Sequence, residues 1–175
     1  MNKAELTPRF LLILSIIIAG AMLRLMPHWP NFTPIAAMAL FGGTYLKRKE
    51  LAYIIPVAAM LLSDAIIGFH EVMLPVYASF LIIVFIGFLL RSRVNPVNIV
   101  SASLFSSLLF FLITNFASWL TGMMPYAPGF PGLIQAYIAG LPFFFNGLLG
   151  DLFFNGLFFS AFYFLTSKVT VFSRQ

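Results

Sequence analysis

Apolar residues fall into long blocks separated by short polar or basic stretches, and six blocks stand out, at 10–26, 32–46, 51–67, 72–90, 97–120 and 143–166. A bilayer core of about 30 Å takes roughly 20 helical residues, and a chain inside it must satisfy its own backbone hydrogen bonds. Each block therefore predicts a spanning helix. The second is short and carries Gly42-Gly43 near its end, which predicts a segment that is tilted, partly re-entrant or packed inside the bundle. The apolar stretch from Leu133 onward is too long for one crossing and contains Pro142, a residue that removes a backbone donor and starts or kinks a helix. Dividing it there gives a short surface helix over 133–141 and a sixth span over 143–166. The uncharged, Pro- and Gly-rich run before it completes an outer loop and cap over 121–142, with the character of a lid.

Charge then orients the bundle. With a cytoplasmic N-terminus, Lys3, Arg9, Lys47, Arg48, Lys49, Arg91, Arg93, Lys168 and Arg174 all fall on the inner side, and only Arg24 lies within the first helix. This is the asymmetry of the positive-inside rule, and it predicts six spans with both termini in the cytoplasm. Lys3 and Arg9 ahead of an Ala19-Gly20-Ala21 stretch also suit a signal peptide. Apolar character continues to Met26, so the run is read as a retained first helix. Composition agrees with a bilayer as solvent: of 175 residues 61% are hydrophobic and 9% charged, where soluble domains carry about a quarter charged residues. The fold class expected is an all-α membrane protein forming one transmembrane domain. A net charge of +5 raises nucleic acid as a partner, but basic residues in small groups between apolar runs are topology signals, and that partner is set aside. The chain has no Cys, hence no disulfide, thiolate metal site or cysteine nucleophile.

Ionisable residues inside spans are costly and usually face a bundle interior or a watery cavity. Arg24, Asp64 and Asp151 all belong near the outer ends of their helices, which predicts that they converge there as a charge-assisted cluster. Such a cluster pins helices together, floors a solute pocket, or does both. Asn31, His70, Asn115, Trp119, Tyr126, Tyr137 and Asn146 fall around the same level and complete the candidate ligand-binding set, since pockets combine aromatic walls with a few converging polar groups. Bland readings stand beside this one: Trp119 and Tyr126 also suit an interfacial belt, the Asn residues interhelical hydrogen bonds, and His70 an interfacial loop. The inner half offers only apolar residues and short basic loops, so a site, if present, opens outward. No Walker loop, HExxH, GxSxG or paired-cysteine motif occurs, and no catalytic residue, metal ligand or cofactor is expected. Two rival classes remain open: an integral membrane enzyme using Asp64, Asp151 and His70 on a lipid-like substrate, and an assembly partner in a membrane complex.

Arg24, Asn31-Phe32-Thr33-Pro34, Ala39-Leu40-Phe41-Gly42-Gly43, Leu62-Ser63-Asp64, Gly68-Phe69-His70 and Leu149-Gly150-Asp151 together resemble a family of small bacterial integral membrane proteins, DUF6580, from about Arg24 to Phe164. That family is similar in size and six-helix layout to the substrate-binding S-components of energy-coupling factor (ECF) vitamin transporters, including the vitamin B12 uptake type. The resemblance implies residence in the bacterial cytoplasmic (inner) membrane and capture of a vitamin- or corrinoid-like small molecule in an outward-facing pocket. It also implies a membrane coupling subunit and ATPases as partners. S-components commonly present an Ala-xxx-Ala face on the first helix to the coupling subunit, where this chain has Ser15-xxx-Ala19, so a solitary mode of operation stays open. Were the ligand a corrinoid, His28 and His70 would be the imidazoles able to approach cobalt.

Overall fold

The computed structural model describes residues 7–69, 73–122 and 124–168. Six helices form among them: α1 (Pro8–Arg24), α2 (Ile35–Tyr45), α3 (Lys49–Ile67), α4 (Met73–Leu90), α5 (Pro96–Leu120) and α6 (Phe130–Lys168). Local chemistry sets several of their ends. The Thr7 hydroxyl accepts from the Phe10 amide at 3.1 Å ahead of Pro8, and Asn95 accepts from the Asn98 amide at 2.9 Å ahead of Pro96; each pairs an N-cap with a proline in the first turn. The helix α3 stops at Gly68, whose φ of 111° is the left-handed geometry that suits glycine. Among the described residues α3, α4, α5 and α6 are long and apolar enough to cross a membrane, and the chain is a multi-pass, all-helical membrane protein.

Successive helices alternate in direction. The last turns of α1, α3 and α5 therefore lie at one end, and the basic residues Arg9, Lys47, Arg48, Lys49, Arg91, Arg93 and Lys168 gather at the other. Short as the sequence predicted, α2 is the core element: ten of its eleven residues are buried, and the Phe41 ring lies 5.0 to 6.0 Å from those of Tyr45, Phe158, Phe159 and Phe162. At about 16 Å it cannot cross a bilayer alone. Arg91, read from sequence only as a topology signal, also caps this helix. Its Nε donates to the Gly43 carbonyl at 2.8 Å and Nη2 to that of Leu46 at 2.5 Å, and its guanidinium lies 4.3 Å from the centre of the Phe88 ring. The cation is attracted both to the helix C-terminus and to the aromatic face.

The expected break at Pro142 is absent. Instead of a surface helix over 133–141 followed by a separate span over 143–166, α6 runs unbroken for 39 residues with Pro142 inside it, a length of about 58 Å. Packing against α5 on both sides of the proline holds the rod together. Phe111 of α5 packs on Tyr137 at 5.5 Å and on Phe144 at 4.9 Å, and the Tyr137 hydroxyl donates to the Leu112 carbonyl at 3.1 Å. A proline costs one helical hydrogen bond, and contacts with a neighbouring helix offset that loss inside a membrane bundle.

Candidate ligand cavity

The cavity lies above the N-terminus of the short α2, whose Ile35 and Ala36 line it. The connection from α1 to α2 folds over the side. Asn31 adopts φ 62° there, a left-handed conformation that Asn tolerates better than most residues, and the Thr33 amide returns to the Asn31 carbonyl at 3.0 Å. This strand of backbone lies directly on α6 because residue 150 has no side chain: a Cβ there would come within 3.1 Å of Phe32 Cα and the Thr33 amide.

Arg24, the last residue of α1, reaches across to α3. Nη2 donates to Asp64 Oδ1 at 2.5 Å, and Nη1 donates to Ser63 Oγ and, at 3.4 Å, to the Met60 carbonyl. The second carboxylate oxygen of Asp64 accepts from the Tyr77 hydroxyl at 2.5 Å. Asp64 is fully buried (0% exposed), and with both oxygens occupied the pair fastens α1, α3 and α4 together. Charge-assisted bonds at both oxygens are what makes a buried carboxylate tolerable.

Asp151 does not join them. The expected three-residue cluster separates because Asp151 projects from the face of α6 that packs on α5, and Ser107 donates to its Oδ2 at 2.6 Å. One turn further along, Asn155 Nδ2 donates to Ser103 Oγ at 2.8 Å. Ser103 and Ser107 are four apart on α5, as Asp151 and Asn155 are on α6, so two antiparallel helices meet rung by rung. The matching spacing was present in the sequence and is the signal that could have found this pairing.

The cavity holds about 750 Å³ between these two polar groups. Arg24 and Asp151 both line it, with His28, Asn31, Thr33, Thr114 and Asn115 as further polar groups and Phe80, Phe110, Phe111, Phe143 and Phe144 as aromatic walls. Of the sequence candidates, Arg24, Asn31, Asn115 and Asp151 thus face the cavity. Asp64 lies behind Arg24. Trp119, Tyr126, Tyr137 and Asn146 are not on its wall; Trp119 packs on Phe116 at 5.6 Å, and Tyr137 braces α6 against α5. His70 falls outside the described residues. Tyr77, Ser107 and Thr114 are additions that sequence reasoning did not name. Gly140 matters to Asn115, because any Cβ at that position would collide with the Asn115 side chain.

The family model described as a family of unknown function, DUF6580, matches residues 4–172. The chain belongs to the DUF6580 family. No curated protein and no solved structure matches it. In this DUF6580 member the whole cavity wall falls inside the matched span. A second, smaller hollow of about 410 Å³ sits at the basic end against Arg9, Lys47, Arg48 and Arg91. Among the described residues no three His, Asp or Glu side chains come together as a metal site.

Proposed function

We propose that this protein is a substrate-binding membrane protein that takes a small amphipathic molecule into the cavity from the extracytoplasmic side of the bacterial cytoplasmic membrane, in the manner of an ECF S-component. The observation that carries the reading is the cavity itself: about 750 Å³, within the roughly 300–1,000 Å³ typical of small-molecule sites, with aromatic walls and few polar groups. Positive-inside asymmetry supports the orientation. With Arg9, Lys47, Arg48, Lys49, Arg91, Arg93 and Lys168 on the cytoplasmic side, as that rule favours, the cavity would open outward. A vitamin-sized solute suits the volume, whereas an intact corrinoid would be only partly enclosed. Ser15 and Ala19 are both exposed along α1, which leaves that face open to a membrane coupling subunit.

Two measurements test this. Purified protein in lipid nanodiscs, screened by thermal shift and calorimetry against vitamins and other amphipathic solutes, is expected to show at least one ligand that raises Tm by about 5–10 °C at saturating concentration. Silence across the panel from demonstrably folded protein would sink the reading. Orientation is tested separately with single cysteines, which this cysteine-free chain accepts without background. A membrane-impermeant maleimide is expected to label Pro125→Cys in intact cells and Arg93→Cys only after lysis. The opposite pattern would reverse the topology.

A further inference from the structure

We propose that the cavity recognises its ligand as an organic cation: an ammonium group received by Asp151 and an apolar or aromatic body held by the phenylalanine walls. The proposal deepens the binding function above and rests on it.

The ionisable groups around the cavity are not evenly paired. Arg24 is neutralised by Asp64 at 2.5 Å. Asp151 is only 7% exposed, lines the cavity, and has no cationic partner among the described residues. Its single hydrogen bond is the one from Ser107 to Oδ2; Oδ1 has no hydrogen-bond partner among the described residues. His28 engages the carbonyls of Trp29 and Arg24 instead. The N-terminus of α2 adds a partial positive charge, about half a unit at most, at Ile35 and Ala36 on the cavity floor. That is too little to balance a carboxylate. A lone acid removed from water is costly, and an incoming cation with N–H donors supplies both the missing charge and the missing donor.

The walls fit the same ligand. Phe80 and Phe110 stack with centroids 5.6 Å apart and planes 29° from parallel, and Phe111 and Phe144 lie 4.9 Å apart. Aromatic faces attract a desolvated cation, and they offer nothing comparable to an anion.

Three probes of one shape separate the possibilities: phenethylamine, which is cationic at neutral pH, phenethyl alcohol and hydrocinnamate. Titrated into the full chain in zwitterionic nanodiscs, the amine is expected to bind at least about tenfold more tightly than the alcohol, and the carboxylate most weakly. Asp151→Asn is expected to bring the affinity for the amine down to that for the alcohol. The same variant should be no less heat-stable without ligand, because it replaces a buried acid that lacks a charged partner with a neutral amide of the same shape; a merely structural Asp151 would instead lose stability and leave the order of the three probes unchanged. Equal binding of alcohol or carboxylate, survival of amine binding in Asp151→Asn, or no binding of any of the three overturns the cation assignment. In each case the binding function stands if other members of the broad panel bind. Should Asp151→Asn fail to fold, the ranking of the three probes on the native chain decides alone.

Discussion

Replacing Asp64 with Asn is expected to destabilise the protein by about 3–5 kcal/mol, the cost of removing one member of a buried ion pair. The carboxylate is completely shielded, with its side chain 1% exposed, and the Arg24 side chain is 11% exposed, so solvent screens the pair little. Asparagine keeps the size and one acceptor oxygen but not the charge. Arg24 is then left as an uncompensated cation beneath the cavity, and the Tyr77 hydroxyl faces an amide in place of a carboxylate. Tyr77→Phe, which deletes only the second bond, is expected to cost less, about 1.5–3 kcal/mol. The double variant Arg24→Met, Asp64→Leu separates charge from packing. Removing both charges together is expected to recover much of the loss, because a pair that is absent needs no desolvation. Unfolding midpoints in nanodiscs measure all three, and an Asp64→Asn midpoint equal to that of the native chain would show that the pair is not holding α1, α3 and α4 together.

The helices most legible in the sequence are those bounded by local signals. Asn95-Pro96 opens α5, so it runs over Pro96–Leu120 where the apolar pattern ran over 97–120. Thr7-Pro8 starts α1 two residues before the apolar run does. Arg24 and Asp64 were also readable as neighbours, because alternating helices put the end of α1 and the end of α3 at the same level. What failed was information that one strand of sequence does not contain. Whether Pro142 breaks α6 depends on what packs beside it, and here Phe111 and Leu112 brace both flanks. Which group meets Asp151 depends on the register between α5 and α6. A shift of one turn would have sent Ser103 to the carboxylate and left Ser107 elsewhere. Tyr77 carries no signal of its own in the sequence, since its role appears only when α4 is laid against α3. The cavity itself lies above the short α2, and the sequence showed a weak second block without showing that the space above it stays open.

The close approach of α2 and α4 yields the second large effect. An added Cβ at Gly43 would strike the Val84 carbonyl oxygen and come within 3.1 Å of Gly87 Cα; at Gly87 it would lie 2.5 Å from the Leu40 carbonyl oxygen and 2.9 Å from Gly43 Cα. These neighbours are backbone atoms, which cannot rotate aside, so the two helices must separate. Helix propensity alone favours Ala over Gly by up to about 1 kcal/mol, and overpacking costs roughly 1–3 kcal/mol or more when the backbone must move. The steric effect is expected to win, with Gly43→Ala and Gly87→Ala each losing about 2–3 kcal/mol net. Gly156, with nothing within 4 Å of its would-be Cβ, is the internal control: Gly156→Ala should be neutral or slightly stabilising. Because the two tight positions face each other, their losses should not add; once one alanine has parted the helices the second finds room already made. Ile35 and Ala36 at the other end of α2 floor the cavity, so the same displacement is expected to weaken ligand binding even in variants that remain folded. Gly43→Ala and Gly87→Ala chains as stable as Gly156→Ala, with binding intact, would mean that α2 is free to move without disturbing the space above it.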